Sequence, residues 1–284
     1  MSALRFGYGT NGFGDHRLDD VLLVLAELGY DGVALTLDHP HLDPYAPDVG
    51  AQVPVLRRRL DELGLAVVIE TGGRYVLDPW RKHQPTLLSR EGAERRVDLL
   101  VRAVRIAAEL SADAVSFWSG TAAEPMPEDE AWQRLAEGCA QVLDAAAVYD
   151  VRLGFEPEPG MLVDTLDGYT RLLGMLDGHE RFGLTLDIGH CRCLEPLPAE
   201  DCVRRHAGRL VNVQIDDMRR GVHEHLPLGE GEVDFPPVLA ALGEVGYGGL
   251  VSVELPRHGH AAPGLARTSL EFLRDASVPT EVTT

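Results

Sequence analysis

Short apolar runs alternate along the chain with longer segments of helical hydrophobic periodicity. The apolar runs predict eight strands, which cover Leu4–Tyr8, Val33–Leu37, Leu65–Ile69, Ala114–Trp118, Val151–Phe155, Leu184–Leu186, Leu210–Ile215 and Leu250–Val253. The periodic segments predict helices over Leu18–Leu28, Val53–Leu63, Glu91–Leu110, Glu128–Tyr149, Thr165–Leu176, Ala199–His206, Phe235–Val245 and Leu265–Arg274. Each predicted strand is therefore followed by a helix.

Strands that alternate with helices indicate an α/β fold with a parallel sheet. Eight repeats without a change in composition predict a closed (β/α)8 barrel, the TIM-barrel architecture, as a single domain over residues 1–276 with a tail over 277–284. An apolar residue followed by glycine recurs at Leu28-Gly29, Leu63-Gly64 and Val245-Gly246, which is typical of helix ends before strands. An open doubly wound sheet is the alternative, but no strand is followed by a dinucleotide-type glycine pattern with a later ribose-binding acid.

The stretch from Gly183 to His190 carries the first chemical signal. A buried strand ends in Asp187, and an unpaired carboxylate at the edge of a core is costly unless an ion pair or a metal compensates it. We expect Gly189 to let the chain turn, so that His190 comes back over the end of the strand.

The pattern recurs at other predicted strand ends, which carry Glu70, Glu156, Asp187, Gln214 and Glu254. In a barrel these ends converge on one face, where active sites are built. Several carboxylates in one small space repel each other, and a divalent metal removes that conflict. An oxygen-only set of Glu156, Asp187, Gln214 and Glu254 suits Mg²⁺ or Mn²⁺ better than Zn²⁺. The alternative is a salt-bridged network with nearby arginines.

The composition of the chain argues against several classes of partner and site. The chain has 284 residues with 45 acidic against 26 basic side chains and a formal net charge of −19, which argues against nucleic acid as a partner. Met1 to Arg17 has no long apolar core, so we expect no signal peptide, no membrane partner and a cytoplasmic location. The few cysteines predict free thiols, and Cys191 and Cys193 lie beside Asp187 but are too few for a structural zinc site.

Five phrases carry a resemblance to a known family: LGFEPEPG, LTLDIGH, VNVQIDD, HEHLPLGEGEVDF and VSVELPRHG. They resemble the xylose-isomerase-like barrel superfamily, which includes sugar phosphate isomerases and epimerases, ketose 3-epimerases, inosose dehydratases and AP endonucleases. The resemblance covers nearly the whole chain and is strongest between Val151 and Gly259.

The resemblance implies one metal held on strands five to eight and a pair of glutamates that act as acid and base. Carried over, the glutamates are Glu156 and Glu254 and the aspartate ligand is Asp187. The family's strand-seven ligand is a histidine, whereas this chain has Gln214. An amide oxygen favours Mn²⁺ or Mg²⁺ as the cofactor, with Co²⁺ or Zn²⁺ as alternatives.

Other residues are expected to contact the substrate. His190 resembles the family's D-x-x-H histidine, and His223 and His225 fall where AP endonucleases place a metal-binding pair. We favour substrate contacts for these three histidines, with a second, zinc-like site as the alternative. The remaining candidates for substrate contact are Glu70, Arg74, Trp118, Glu158 and Arg257. Arg81-Lys82-His83 is interpreted as a charged surface loop, with binding of a substrate phosphate as the alternative.

The leading hypothesis is a metal-dependent sugar or cyclitol isomerase or epimerase. One glutamate would remove the proton beside a carbonyl, the metal would stabilise the enediolate, and the other glutamate would return the proton. The alternatives are a dehydratase acting on a keto-cyclitol, a metallohydrolase with a second metal, and a non-catalytic sugar-binding barrel in which Gln214 marks a lost metal. The partner is a small sugar or cyclitol, and a homo-oligomer is compatible with the sequence.

Overall fold

Eight parallel strands close into a barrel in a computed structural model that describes residues 4–278. The barrel strands are β1 (Arg5–Gly9), β2 (Gly32–Thr36), β3 (Ala66–Glu70), β4 (Val115–Trp118), β5 (Leu153–Glu156), β6 (Phe182–Asp187), β7 (Leu210–Ile215) and β10 (Leu250–Val253). Going round the barrel, the order is β1-β10-β7-β6-β5-β4-β3-β2. The predicted fold class, a single (β/α)8 barrel, is therefore confirmed.

Helices follow the strands and cover the outside of the barrel. They are α1 (Leu18–Leu28), α2 (Val49–Leu63), α3 (Ala93–Leu110), α4 (Glu128–Tyr149), α5 (Leu166–Met175), α6 (Ile188–Leu194), α7 (Ala199–His206), α8 (Phe235–Glu244) and α9 (Ala262–Ala276). Gly29 and Gly64 cap α1 and α2 at φ of 88° and 68°, a left-handed conformation that favours glycine, as the sequence predicted. None of the helices between residues 4 and 278 is both long and apolar enough to cross a membrane.

The hydrophobic core lies between the strands and the helices. Phe155 and Phe182 are fully buried on the outer face of β5 and β6, with ring centroids 5.4 Å apart. Tyr169 of α5 stacks on Phe182 at 5.9 Å, and its hydroxyl donates to the Phe182 carbonyl at 3.1 Å. The side chains that alternate with these aromatics point into the barrel, so each strand supplies the core with one face and the interior with the other.

Most predicted boundaries agree with the structure to within a few residues. The largest differences are at helix starts: α2 begins at Val49, four residues before the predicted Val53, and α9 begins at Ala262 instead of Leu265. Both early turns contain proline or glycine, which weaken a periodicity signal without preventing a first helical turn. Helix α9 ends at Ala276; of the predicted tail over 277–284, residues 279–284 lie outside the described part.

Two segments that the sequence analysis assigned to no helix or strand form regular structure. Asp187 is followed at once by α6, so Gly189 lies inside a helix and does not make the expected turn. A side chain at Gly189 would collide with the carboxylate of Asp216, which explains the glycine by close approach instead. The polar segment after β7 forms a two-stranded antiparallel hairpin of β8 (Asp217–Arg219) and β9 (Val222–Leu226). The four cysteines are buried free thiols, as expected.

Candidate active site

Three carboxylates meet at the end of the barrel where the strands finish. Glu156 and Asp187 are the last residues of β5 and β6, and Glu254 directly follows β10. One carboxylate oxygen from each residue lies within 4.8 Å of the other two. Gln214 lies on β7, paired in register with Asp187, and lines a pocket together with Glu156 and Glu254. The structure therefore brings together the four residues that the sequence proposes as metal ligands.

Two buried oxygens in this group have no hydrogen-bond partner within residues 4–278. They are Oδ2 of Asp187 and Oε1 of Gln214, whereas Oδ1 of Asp187 accepts a hydrogen bond from the backbone nitrogen of His190 at 2.7 Å. A buried acceptor without a partner costs about 1–3 kcal/mol, so these atoms favour a bound group. Carboxylate and amide oxygens are the donors that hard divalent cations prefer. The residues present thus fit such a cation.

Burial makes this concentration of carboxylates electrostatically unfavourable. It raises the pKa of Glu156 well above the usual value, and the neighbouring carboxylates of Glu158 and Glu254 raise that pKa further. Burial also raises the pKa of Asp187 and of Glu254. Protons or a cation must compensate the clustered negative charge, and carboxyl groups with raised pKa values are suited to proton transfer.

Asn11 holds Glu254 in position. It lies in the 3-10 turn Thr10–Phe13 after β1, and its side-chain nitrogen donates to Oε1 of Glu254 at 2.7 Å. Asn11 is not among the site residues expected from the sequence. The contact joins residues 243 positions apart in the chain, so no local pattern could reveal it.

Three histidines form a second cluster beside the carboxylates. His190 of α6 and His223 and His225 of β9 each offer one ring nitrogen within 4.8 Å of the others. Nδ1 of His190 donates to the carbonyl oxygen of Pro157 at 3.1 Å, which leaves Nε2 as a buried acceptor with no partner in the described chain. Because β9 is a strand, His223 and His225 project from the same face of the hairpin. The unpredicted helix α6 and hairpin therefore assemble this cluster.

The histidines differ in protonation. Burial lowers the pKa of His190 well below its usual value, and burial followed by the charges of His190 and His225 lowers the pKa of His223 to about 4. Burial also opposes the charge of His225, but the Asp216 carboxylate in close contact with its Nδ1 outweighs this and raises the pKa to about 10. Asp216 is a further residue that the sequence analysis did not identify. The contact with Asp216 therefore distinguishes His225 from the other two histidines.

A pocket of about 300 Å³ lies over these groups. Its lining contains most of the side chains that the sequence proposes for the site, namely Glu70, Arg74, Trp118, Glu156, Glu158, Gln214, His223, His225, Glu254 and Arg257. Asp187 and His190 are outside the lining and adjoin it through the carboxylate and histidine groups. The assignment of these residues to metal or substrate remains a prediction.

Glu70 and Trp118 form part of the pocket wall. Glu70 accepts a hydrogen bond from Asn212 at 3.0 Å, and burial, followed by the charge of Glu254, raises its pKa to about 8. The Trp118 ring packs against the His83 ring with centroids 4.9 Å apart, and the Arg96 guanidinium lies 5.0 Å from its centroid. Trp118 thus supplies a fixed apolar surface next to the polar centre.

Comparison with known proteins gives a consistent result. A model of the family described as xylose isomerase-like TIM barrel matches residues 22–276. An L-ribulose 3-epimerase from Mesorhizobium japonicum is 27% identical over 84% of this chain and 75% of its own length. An inosose dehydratase from Geobacillus kaustophilus is 26% identical over 86% of this chain and 82% of its own length. The crystal structure of a D-allulose 3-epimerase from Methylomonas sp. superimposes with a TM-score of 0.75 at 19% identity, covering 97% of this chain and 99% of the other.

Proposed function

The chain belongs to the xylose isomerase-like TIM barrel family, and we propose that it is a divalent-metal-dependent epimerase or isomerase of a small sugar or cyclitol. Its relatives include a ketose epimerase and an inosose dehydratase, which supports an enzyme that acts on sugars. The observation that carries the proposal is the meeting of the Glu156, Asp187 and Glu254 carboxylates within 4.8 Å at the strand ends.

Glu156, Asp187, Gln214 and Glu254 would hold the cation. When bound, it would supply Lewis acidity that polarises a substrate carbonyl and makes the adjacent C–H bond more acidic. Gln214 contributes a neutral oxygen where the family resemblance leads us to expect an imidazole. This difference favours Mn²⁺ or Mg²⁺ over Zn²⁺.

Glu156 and Glu254 are the proposed acid and base. Glu156 ends β5 and Glu254 directly follows β10. These two strands are separated in the barrel by β6 and β7, so the carboxylates approach the centre from different directions. One can remove a proton from the carbon beside the carbonyl, and the other can return it from the opposite side. Return to the same carbon epimerises the sugar, and return to the neighbouring carbon isomerises it. Asn11 donates to Oε1 of Glu254 and thereby fixes the orientation of this carboxylate.

Two other outcomes have specific support. Loss of a β-hydroxyl after the same deprotonation would make the protein a dehydratase, and a dehydratase occurs among the relatives. The cluster of His190, His223 and His225 favours a metallohydrolase if it holds a second cation. Metal content separates the hydrolase from the isomerase, since the isomerase needs one equivalent.

The test uses metal-free protein reloaded with Mn²⁺ and a panel of ketoses and keto-cyclitols. We expect about one bound equivalent and interconversion of at least one substrate pair. Glu254→Gln should lower kcat by about 10²–10⁴-fold, because it removes a proton-transfer group. Glu109→Gln, which changes an exposed glutamate of α3, is the matched control. Two equivalents with hydrolysis, or full turnover in Glu254→Gln, would contradict the proposal.

A further inference from the structure

Three cationic side chains line the pocket that also contains the carboxylates. Arg74 and Lys82 belong to the long segment between β3 and α3, and Arg257 follows β10. Arg74 donates to the carbonyl oxygen of Pro256 at 2.8 Å, which joins the two segments. Lys82 is the only lysine of the sequence. The pocket thus combines an acidic centre with a basic wall.

These cations have no ion-pair partner within residues 4–278. Arg81, which is exposed like Lys82 beside it, is paired with Asp78 at 2.8 Å, whereas no carboxylate lies within 4.0 Å of the charged groups of Arg74, Lys82 or Arg257. Each of the three side chains is exposed and lines the same pocket. A bound anion could therefore reach all three without displacing an internal ion pair.

The charges of the three side chains influence one another within this pocket. Burial lowers the pKa of Lys82, and the positive charges of Arg74 and Arg257 lower it further. The negative charge of Glu158 opposes this effect in part, but its carboxylate lies more than 4.0 Å from all three cationic groups and forms no ion pair with them. Cations that repel each other in a partly enclosed pocket are stabilised by an anion that all of them can reach.

Resting on the function proposed above, we propose that the substrate carries an anionic group, a phosphate or a carboxylate, which Arg74, Lys82 and Arg257 bind while its carbonyl end meets the carboxylates. Guanidinium groups bind both anions through paired hydrogen bonds, and the lysine adds a point charge. The pocket volume of about 300 Å³ suits a small sugar derivative. Because the whole chain repels anions, this local basic wall also decides where the anion enters.

The first experiment measures anion binding without turnover. Lys82 is acetylated with an amine-specific reagent and followed by mass spectrometry, with the α-amino group of the chain as the internal reference. Inorganic phosphate should slow acetylation of Lys82 about tenfold at about ten times its dissociation constant, and chloride at equal ionic strength should not. Because no catalysis is measured, protection would support the anion site even if no ketose were converted.

Matched variants locate the site. Arg257→Gln should weaken phosphate protection of Lys82 by about tenfold to a hundredfold, because it removes a charged hydrogen-bond donor. Arg81→Gln, which changes the neighbouring but paired arginine, should leave protection unchanged. The same assay with a ketose phosphate, the matching sugar acid and the neutral ketose distinguishes the two sources of negative charge.

Three results would overturn the anion site. They are no protection by phosphate, unchanged protection in Arg257→Gln, and equal protection by the neutral ketose and both anionic sugars. If neutral ketoses were nevertheless epimerised, the proposed function would stand while the anion site failed.

Discussion

Gln214 determines the character of the candidate metal site at the scale of single residues. Its Oε1 is buried without a hydrogen-bond partner in the described chain, next to Asp187 across the β6–β7 pairing. An amide oxygen is a weaker ligand than imidazole for borderline metals but is adequate for hard ones. The sequence identified this position because it lies near the end of a strand; its lack of a hydrogen-bond partner is visible only in three dimensions.

Gln214→His should tighten Co²⁺ or Zn²⁺ binding by about tenfold, roughly 1.4 kcal/mol, since imidazole suits those metals. Calorimetric titration of both proteins with Mn²⁺, Co²⁺ and Zn²⁺ measures the change. Gln141→His on the exposed face of α4 is the control and should bind as the parent does. Identical affinities for every metal in the parent and in Gln214→His would mean that Gln214 is not a ligand.

Asn11 and Asp216 are site residues that could not be identified from the sequence. Asn11 and Asp216 act on Glu254 and His225 through contacts that no spacing rule contains. The five strand-end residues could be identified because parallel strands end on one face whatever their order. No comparable rule predicts which loop residues reach the site.

At the scale of elements, the segments that follow β6 and β7 bring the three histidines to the site. Helix α6 places His190 against the carboxylates, and hairpin β8–β9 brings His223 and His225 to the same place. Helix α6 has seven residues and contains a glycine, which is too short for a clear helical period. The hairpin is polar on both strands, so it shows no apolar alternation. Both elements depend on tertiary contacts and were therefore assigned to no helix or strand.

Gly189→Ala should destabilise the fold by about 1–3 kcal/mol, because the added methyl group collides with the Asp216 carboxylate and cannot be accommodated without displacing α6. Urea denaturation measures this loss. Gly243→Ala in α8 has no atom within 4 Å of the new methyl group and should instead stabilise by about 0.4–1 kcal/mol. Equal effects of the two substitutions would show that close approach to Asp216 is not what position 189 requires.

At the scale of the whole molecule, the barrel concentrates buried carboxylates in its interior. Glu70 has a pKa of about 8 in the folded protein against a usual value of 4.5. A raised pKa means that the folded state binds more protons than the unfolded state between these values. The stabilising contribution is therefore complete below about pH 4.5 and is lost as the pH rises through about 8.

The metal-free protein should accordingly lose stability by about 1.4 kcal/mol per pH unit on account of Glu70 across that range. Denaturant unfolding at several pH values between these limits measures the slope. Glu70→Gln removes the titrating group and should flatten the curve, while Glu109→Gln should leave it steep. A curve of unchanged slope in Glu70→Gln would mean that Glu70 does not titrate in this window.

In the proposed mechanism, the strand-end carboxylates move a substrate proton. The most direct measurement is deuterium incorporation into ketoses and keto-cyclitols incubated with Mn²⁺-loaded protein in deuterated water, read by mass spectrometry. The account predicts one deuterium at the carbon beside the carbonyl of at least one substrate, and its loss in Glu156→Gln and in Glu254→Gln but not in Glu109→Gln. Exchange that is equally fast in all of these proteins, or no exchange by folded protein with a full equivalent of metal, would contradict it.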